Sequence, residues 1–220
     1  MPILTHATDA QLAAAVEENL FALFRAMSTM PRGELIEGEA LSLHYSPQPA
    51  PLFAGAWRSR LSADAADAEI TRALDWFKAR HTPIVTWCFN QNPEPPDLQE
   101  RLEAQGFQFG YDAPGMALDL DTMDEAFTRA EGLEIVPVTT EQQALDWEAA
   151  LCATYNLPPA AGRAWTDATR AFGLASAPWT LYVGYVDGAA VATNAVYNGG
   201  GAAGLYCVGT IPEMRGKGYG

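Results

Sequence analysis

Lysine is nearly missing from this chain. Its 13 basic residues include only Lys78 and Lys217 as lysines, against 27 acidic residues, and the net charge is −14. That balance argues against a nucleic-acid partner, whose phosphates would be repelled, and against binding to an anionic membrane. It suits a cationic substrate such as an amine, and it is equally the ordinary mark of an acidic, soluble surface. Cysteine is scarce too. Cys88, Cys152 and Cys207 lie far apart, at no metal-ligand spacing, each in an apolar context. They fit reduced core residues of a cytoplasmic protein, and no metal is expected. His6, His44 and His81 are the only histidines. They sit near element ends, outside the glycine-rich end of the chain, and no Ser-His-Asp or paired-carboxylate arrangement stands out. No apolar run reaches the roughly eighteen residues of a membrane span, and the start lacks the basic-then-apolar pattern of a leader. Heptads and low-complexity tracts are absent as well. What is present is 49% apolar and 18% charged residues over 220 positions, enough for one large or two small globular domains.

The most informative stretch is the last one, Ala203 to Gly220. Leu205 to Thr210 is a short apolar, β-branched and aromatic run that predicts a buried strand. Pro212 ends it. Arg215-Gly216-Lys217-Gly218-Tyr219-Gly220 then forms a glycine-rich turn with two cations. Glycines let a backbone approach a phosphate closely, with successive N–H groups aimed at it. A Walker loop needs four residues between its first Gly and the Gly-Lys pair, followed by Ser or Thr. Here six residues separate Gly209 from Gly216-Lys217, and Gly218 follows. The dinucleotide fingerprint needs G-x-G-x-x-G inside a βαβ unit, and this is G-x-G-x-G after antiparallel strands. The run from Val208 to Gly220, with Pro212 and then Arg-x-x-Gly-x-Gly spacing after a strand, resembles the coenzyme A loop of the GNAT superfamily of N-acetyltransferases.

The rest of the chain is read in that light. Thr8 and Gln11 make a capping box, and Leu12, Val16, Leu20, Leu23 and Met27 recur at helical spacing over 9–28. Short strands are expected at Glu34–Gly38, Ala40–Ser46 and Phe53–Leu61, then a helix over Asp64–Arg80. Pro83–Phe89 predicts a strand covered on both sides. A helix capped by Asp97 and Glu100 should end at Gly106, before short strands at Phe107–Tyr111 and Met116–Leu120. ERLEAQGF at 100–107 is similar to the fourth helix of the GNAT family. The segment between Trp57 and Ala68 has no glycine, so residues 1–125 are identified as a degenerate GNAT-like domain. Residues 126–132 make a linker.

Residues 133–220 follow the front half of a GNAT domain in order. Leu133–Val138 is a strand with a proline, suited to an edge. Thr140 and Gln143 open a helix with Ala144, Trp147, Leu151 and Tyr155 on its inner face. Pro158-Pro159 breaks it, and Ala161–Leu174 is a second helix. Trp179–Val186, the Asp187-Gly188 turn, Ala189–Tyr197 and the strand at 203–210 form a meander. The fold class is therefore α/β of the α+β type. A mixed, mostly antiparallel sheet is flanked by helices in two tandem GNAT-like domains, the second incomplete.

The resemblance implies acetyl transfer from acetyl-CoA to a primary amine of a small molecule or peptide. It implies that backbone amides of Arg215, Gly216, Lys217, Gly218, Tyr219 and Gly220 hold the pyrophosphate. Val208, Gly209 and Thr210 would pair with the pantetheine arm, and an N–H near Val208 would polarise the thioester carbonyl. Many family members carry a glutamate on the strand corresponding to 203–209, as a base for the amine. This sequence has Tyr206 there, and Asn194 is polar among Ala and Val on the neighbouring strand; both are candidate catalytic residues. Tyr155 and Trp165 are candidates to line the amine pocket, or are core aromatics. The family pattern implies further elements after Gly220. The 220-residue chain is accordingly expected to bind CoA weakly or not at all, and its sheet edge at 203–210 invites self-association. The alternatives are a non-catalytic acyl-CoA-binding sensor or scaffold, or an inactive fragment of the transferase.

Overall fold

The computed structural model describes residues 4–90, 92–123 and 130–219. They form two compact units, one of Phe24–Pro114 and one of Met1–Leu23 with Gly115–Gly220. Helix α1 (Asp9–Ser28) carries the chain from the second unit into the first. Its start is fixed by the expected box. Gln11 N–H donates to Thr8 Oγ1 at 3.4 Å and Thr8 N–H donates to Gln11 Oε1 at 2.9 Å, which uses donors that a helix start leaves unpaired. The units part within α1 and again between Pro114 and Gly115; of the linker expected at 126–132, residues 126–129 lie outside the described residues.

In Phe24–Pro114, β1 (Glu34–Glu37), β2 (Ser42–Tyr45) and β3 (Ala54–Trp57) pair antiparallel in that order. β4 (Thr86–Trp87) joins β3 in parallel. A parallel neighbour cannot be reached by a tight turn, and helix α2 (Ala66–Lys78) supplies the crossover. Its Ile70, Ala73 and Phe77 are buried with Leu43, Ala54 and Ala56 of the sheet. Helix α3 (Leu98–Ala104) adds Leu98 and Leu102 to that core. It closes as its sequence asks. Gly106 takes φ +92°, and the N–H groups of Gly106 and Phe107 return to the carbonyls of Glu103 and Leu102 at 2.9 and 3.1 Å.

Four local expectations for 83–120 fail. Asp97 makes no cap hydrogen bond at the start of α3; its carboxylate instead accepts from Arg101 Nε at 2.9 Å, one helical turn on. The strand expected over Pro83–Phe89 shrinks to Thr86–Trp87, because Ile84 and Phe89 stay 38% exposed and have no second layer over them. Phe107–Tyr111 and Met116–Leu120 are not strands. Their alternation of apolar residues finds no partner strand among the described residues, and Tyr111 and Met116 are 72% and 91% exposed.

In the other unit, β5 (Glu134–Pro137), β6 (Trp179–Val186), β7 (Ala189–Gly199) and β8 (Ala202–Thr210) form an all-antiparallel sheet in sequence order. Helices α4 (Glu141–Tyr155) and α5 (Pro159–Phe172) lie between β5 and β6 in the chain. Thr140 and Gln143 cap α4 reciprocally, and Asn156 ends it in the left-handed region at φ 53°. Asp187 and Gly188, at φ 50° and 78°, turn β6 into β7 with the primed-type geometry that right-twisted strands need. Leu181, Val183 and Ala195 are buried on one sheet face. Tyr182, Asn194 and Val196 on the other are half-buried, and Ile135 and Leu205 are exposed. The helix-covered side holds a run of rings: Trp147 to Trp165 at 6.5 Å, Trp165 to Trp179 at 6.3 Å, and Phe172 to Trp179 at 5.5 Å.

Candidate functional site

Strands β7 and β8 lose register beside Asn194. Thr193 pairs with Gly209 and Ala195 with Tyr206, so Cys207 and Val208 together oppose Asn194. This is a β-bulge, and Cys207 adopts φ +53° to make it. Both bulge carbonyls are taken by side-chain hydroxyls. Thr193 Oγ1 donates to the Cys207 carbonyl at 2.8 Å, and Tyr155 OH donates to the Val208 carbonyl at 2.5 Å. Thr193 is buried, while Tyr155 is 48% exposed at the end of α4. The indole of Trp147 holds the Asn194 carbonyl at 3.2 Å. Burial pushes the Cys207 thiol up to about 12, so it stays protonated in neutral solution.

Past the bulge, β8 touches the last turn of α4. A Cβ on Gly209 would lie 2.2 Å from Thr154 Cγ2, so only glycine lets strand and helix meet here. The Arg215 guanidinium ties the following loop to both elements. Its Nη2 donates to the Thr154 carbonyl at 2.7 Å and its Nε to the Thr210 carbonyl at 3.1 Å. Carbonyls in a last helical turn lack intrahelical partners and carry partial negative charge, which suits a guanidinium. After a short 3₁₀ turn at Pro212–Met214, Gly216 and Gly218 take φ +74° and +79°. Left-handed residues of this kind turn successive N–H groups into an anion-binding concavity. Nothing lies within 4 Å of where a Cβ of Gly216 would sit, so the loop is open on that side. Lys217 is exposed, with Nζ 3.3 Å from Met214 Sδ, and Tyr219 is half-buried. Gly220 lies outside the described residues.

Two buried polar atoms in this region, Thr154 Oγ1 and Asn194 Oδ1, make no hydrogen bond. An unpartnered buried polar atom is costly in a folded protein, and here both flank the bulge. The residues present therefore fit an extended, amide-bearing ligand ending in a diphosphate. Open αL glycines suit the diphosphate, and a bulged strand edge flanked by unsatisfied polar atoms suits the arm.

The remaining candidates fall elsewhere. The hydroxyl of Tyr206 donates to Asn19 Oδ1 of α1 at 2.6 Å. Burial, with a smaller contribution from Tyr197, raises its pKa well above the ordinary phenol value. Asn19 is 2% exposed, and its Nδ2 faces the carbonyls of Tyr197, Gly199 and Ala202 at 3.2, 2.8 and 2.9 Å. Trp165 is 7% exposed, within the ring cluster. The structure thus brings Asn194, Tyr155, Val208, Gly209 and the Arg215 loop together, turns the Tyr206 hydroxyl to Asn19 of α1 and buries Trp165 in the core. Sequence reasoning missed the bulge, Thr193, Thr154 and Asn19. A glycine inside a strand, Gly209, was the available signal for the bulge. Among the described residues, no group of three or more His, Cys, Asp or Glu could hold a metal ion, and no helix is long and apolar enough to cross a membrane.

No protein-family model matches the chain, and no curated protein matches it in sequence. Its fold matches a solved GCN5-related N-acetyltransferase from Kribbella flavida. The TM-score is 0.62, over 93% of this chain and 75% of that one, at 18% identity. At that identity the likeness establishes the fold, a GNAT-type α/β arrangement of sheets flanked by helices.

Proposed function

We propose that this protein is an N-acetyltransferase that moves an acetyl group from acetyl-CoA to a primary amine. The observation that carries the reading is the bulge at Cys207–Val208 followed within one strand end by the Arg215–Gly218 loop. A bulged edge and an anion concavity at that spacing suit a ligand with an amide-rich arm and a diphosphate. In this reading the amides of Arg215 to Gly220 hold the diphosphate, and Val208, Gly209 and Thr210 pair with the arm. Acetyl-CoA supplies an activated acyl group whose C–S bond is exchanged for a C–N bond, the amine's proton passing to solvent and the thiolate taking one up. The chain's own residues bind and orient. The Val208 N–H withdraws charge from the acyl oxygen, Asn194 Oδ1 accepts a hydrogen bond from the incoming amine, and Tyr155 lines the approach. Tyr206 positions the strand through Asn19. Holding both reactants in line supplies much of the barrier reduction. The acidic composition favours a cationic amine over an anionic acceptor. We further assign Phe24–Pro114 as a degenerate partner domain of the same ancestry. Like the other unit it builds a four-stranded sheet with helices in its connections, but Leu61 is buried where a glycine loop would follow its strand.

A second reading has one observation in its favour. Strand β8 carries no carboxylate, and none among Ala202–Thr210 could act as base. A non-catalytic acyl-CoA sensor would need none. Free-thiol release from acetyl-CoA across a panel of small and peptidyl amines separates the two. Turnover supports the transferase, and perturbation of the loop amides by acetyl-CoA without turnover supports the sensor. No perturbation and no turnover would overturn both.

A further inference from the structure

The bulge poses a problem of direction. A polarising N–H works only if it points at the acyl oxygen, and a bulge by itself leaves its peptide units free to tilt. A trans peptide is planar, so the C=O of one residue and the N–H of the next point in opposite directions. The Cys207 carbonyl is pulled toward β7, because the buried Thr193 hydroxyl donates to it at 2.8 Å. The Val208 N–H belongs to the same peptide unit and must point away from β7. β8 pairs only with β7 among the described residues, so that N–H faces the open edge of the sheet. The next carbonyl, Val208, is held by Tyr155 OH at 2.5 Å, which pins the second peptide unit of the bulge. Two hydroxyls from different elements therefore lock two successive peptide planes.

We infer that Thr193 is a positioning residue whose hydroxyl aims the Val208 N–H at the open edge of β8, with Tyr155 fixing the peptide that follows. The inference rests on the acetyltransferase reading for its purpose, and on the geometry alone for its orientation. A hydrogen bond accepted by the Cys207 carbonyl also polarises the shared peptide unit and makes the Val208 N–H a stronger donor. Thr193→Val keeps the shape and removes the donor, and Thr193→Ser restores it.

The test uses the full chain and begins without ligand. In Thr193→Val the amide resonance of Val208 should move, because its peptide unit loses the hydroxyl that holds and polarises it. Thr193→Ser should return it to the wild-type value. A Val208 amide unchanged in Thr193→Val overturns the orientation, whatever acetyl-CoA does. With acetyl-CoA and an accepted amine, Thr193→Val should lower kcat by about 10-fold while leaving KM for acetyl-CoA within about twofold, with rescue by serine. Equal loss in the valine and serine variants, or a change confined to KM, overturns the positioning role. If wild-type protein shows no acetyl-CoA response at its loop amides, the acetyltransferase reading fails separately, and the orientation is still decided by the ligand-free amide.

Discussion

Asn19 and Tyr206 stand 187 positions apart and share a 2.6 Å hydrogen bond. The same Asn19 amide spans the β7–β8 turn through its carbonyls. Strand β8 is thereby anchored at the residue just before its bulge. The approach is close: a Cβ on Gly204 would come 1.9 Å from Asn19 Oδ1.

Replacing that amide should be expensive. Asn19→Leu strands three carbonyls and one phenol in a buried setting, each a desolvated polar group without its partner. The expected loss is about 2–4 kcal/mol of stability, measured by urea unfolding. Tyr206→Phe removes a single partner and should cost about 1–2 kcal/mol by the same rule. A neutral Asn19→Leu would show that the clip contributes nothing.

The contact between Gly209 and Thr154 makes a paired prediction. Gly209→Ala places a methyl 2.2 Å from Thr154 Cγ2, which forces α4 and β8 apart at a cost of about 1–3 kcal/mol. Thr154→Ser removes the clashing methyl and should recover most of that loss in the double variant. A double-mutant cycle without coupling would contradict the packing described.

His44 gives a pH dependence. It is 1% exposed, and its Nε2 lies 2.8 Å from the Leu52 carbonyl. Burial lowers its pKa from 6.5 to about 4, against smaller opposing effects of backbone hydrogen bonds at Leu52 and Gly55. The folded protein keeps this ring neutral where the unfolded chain protonates it. Stability is therefore whole above pH 6.5 and falls as the pH drops from 6.5 toward about 4. The loss from this group approaches about 3 kcal/mol. Unfolding free energies from pH 7 to 4 check it, and a His44 ring signal titrating near 6.5 would refute it.

Arg215 is expected to matter for binding more than for stability. Its bonds to the Thr154 and Thr210 carbonyls hold the glycine loop against α4 and β8. Arg215→Ala should change the unfolding free energy by less than about 1 kcal/mol, since the loop is exposed. It should weaken acetyl-CoA binding by on the order of 10-fold through loss of a preformed loop. Lysine should not rescue, because an ammonium lacks the fork that spans two carbonyls. Titrations followed by loop amide shifts decide this.

What could be foreseen from the sequence was local chemistry. Thr8 with Gln11, Thr140 with Gln143, and Asp187-Gly188 each act within four residues, and all three appear as expected. The glycine pattern of 216 and 218 likewise declares its own backbone. The order of helices and strands in 133–210 followed from hydrophobic period, and so did the sheet they build. The bulge did not, because it arises from a slip between β7 and β8 that neither strand encodes alone. Asn19 was equally hidden: a polar residue inside a helix looks solvated until its distant carbonyl partners are known. Met116, Leu118 and Leu120 show the opposite error. They alternate like a strand, yet alternation needs a neighbour to pair with, and among the described residues they have none.

Because Asn19 belongs to the same compact unit as the β7–β8 hairpin, that unit is assembled from two separated pieces of chain, with Phe24–Pro114 threaded between them. Expressing residues 130–220 by themselves would discard Asn19 and the helix that carries it.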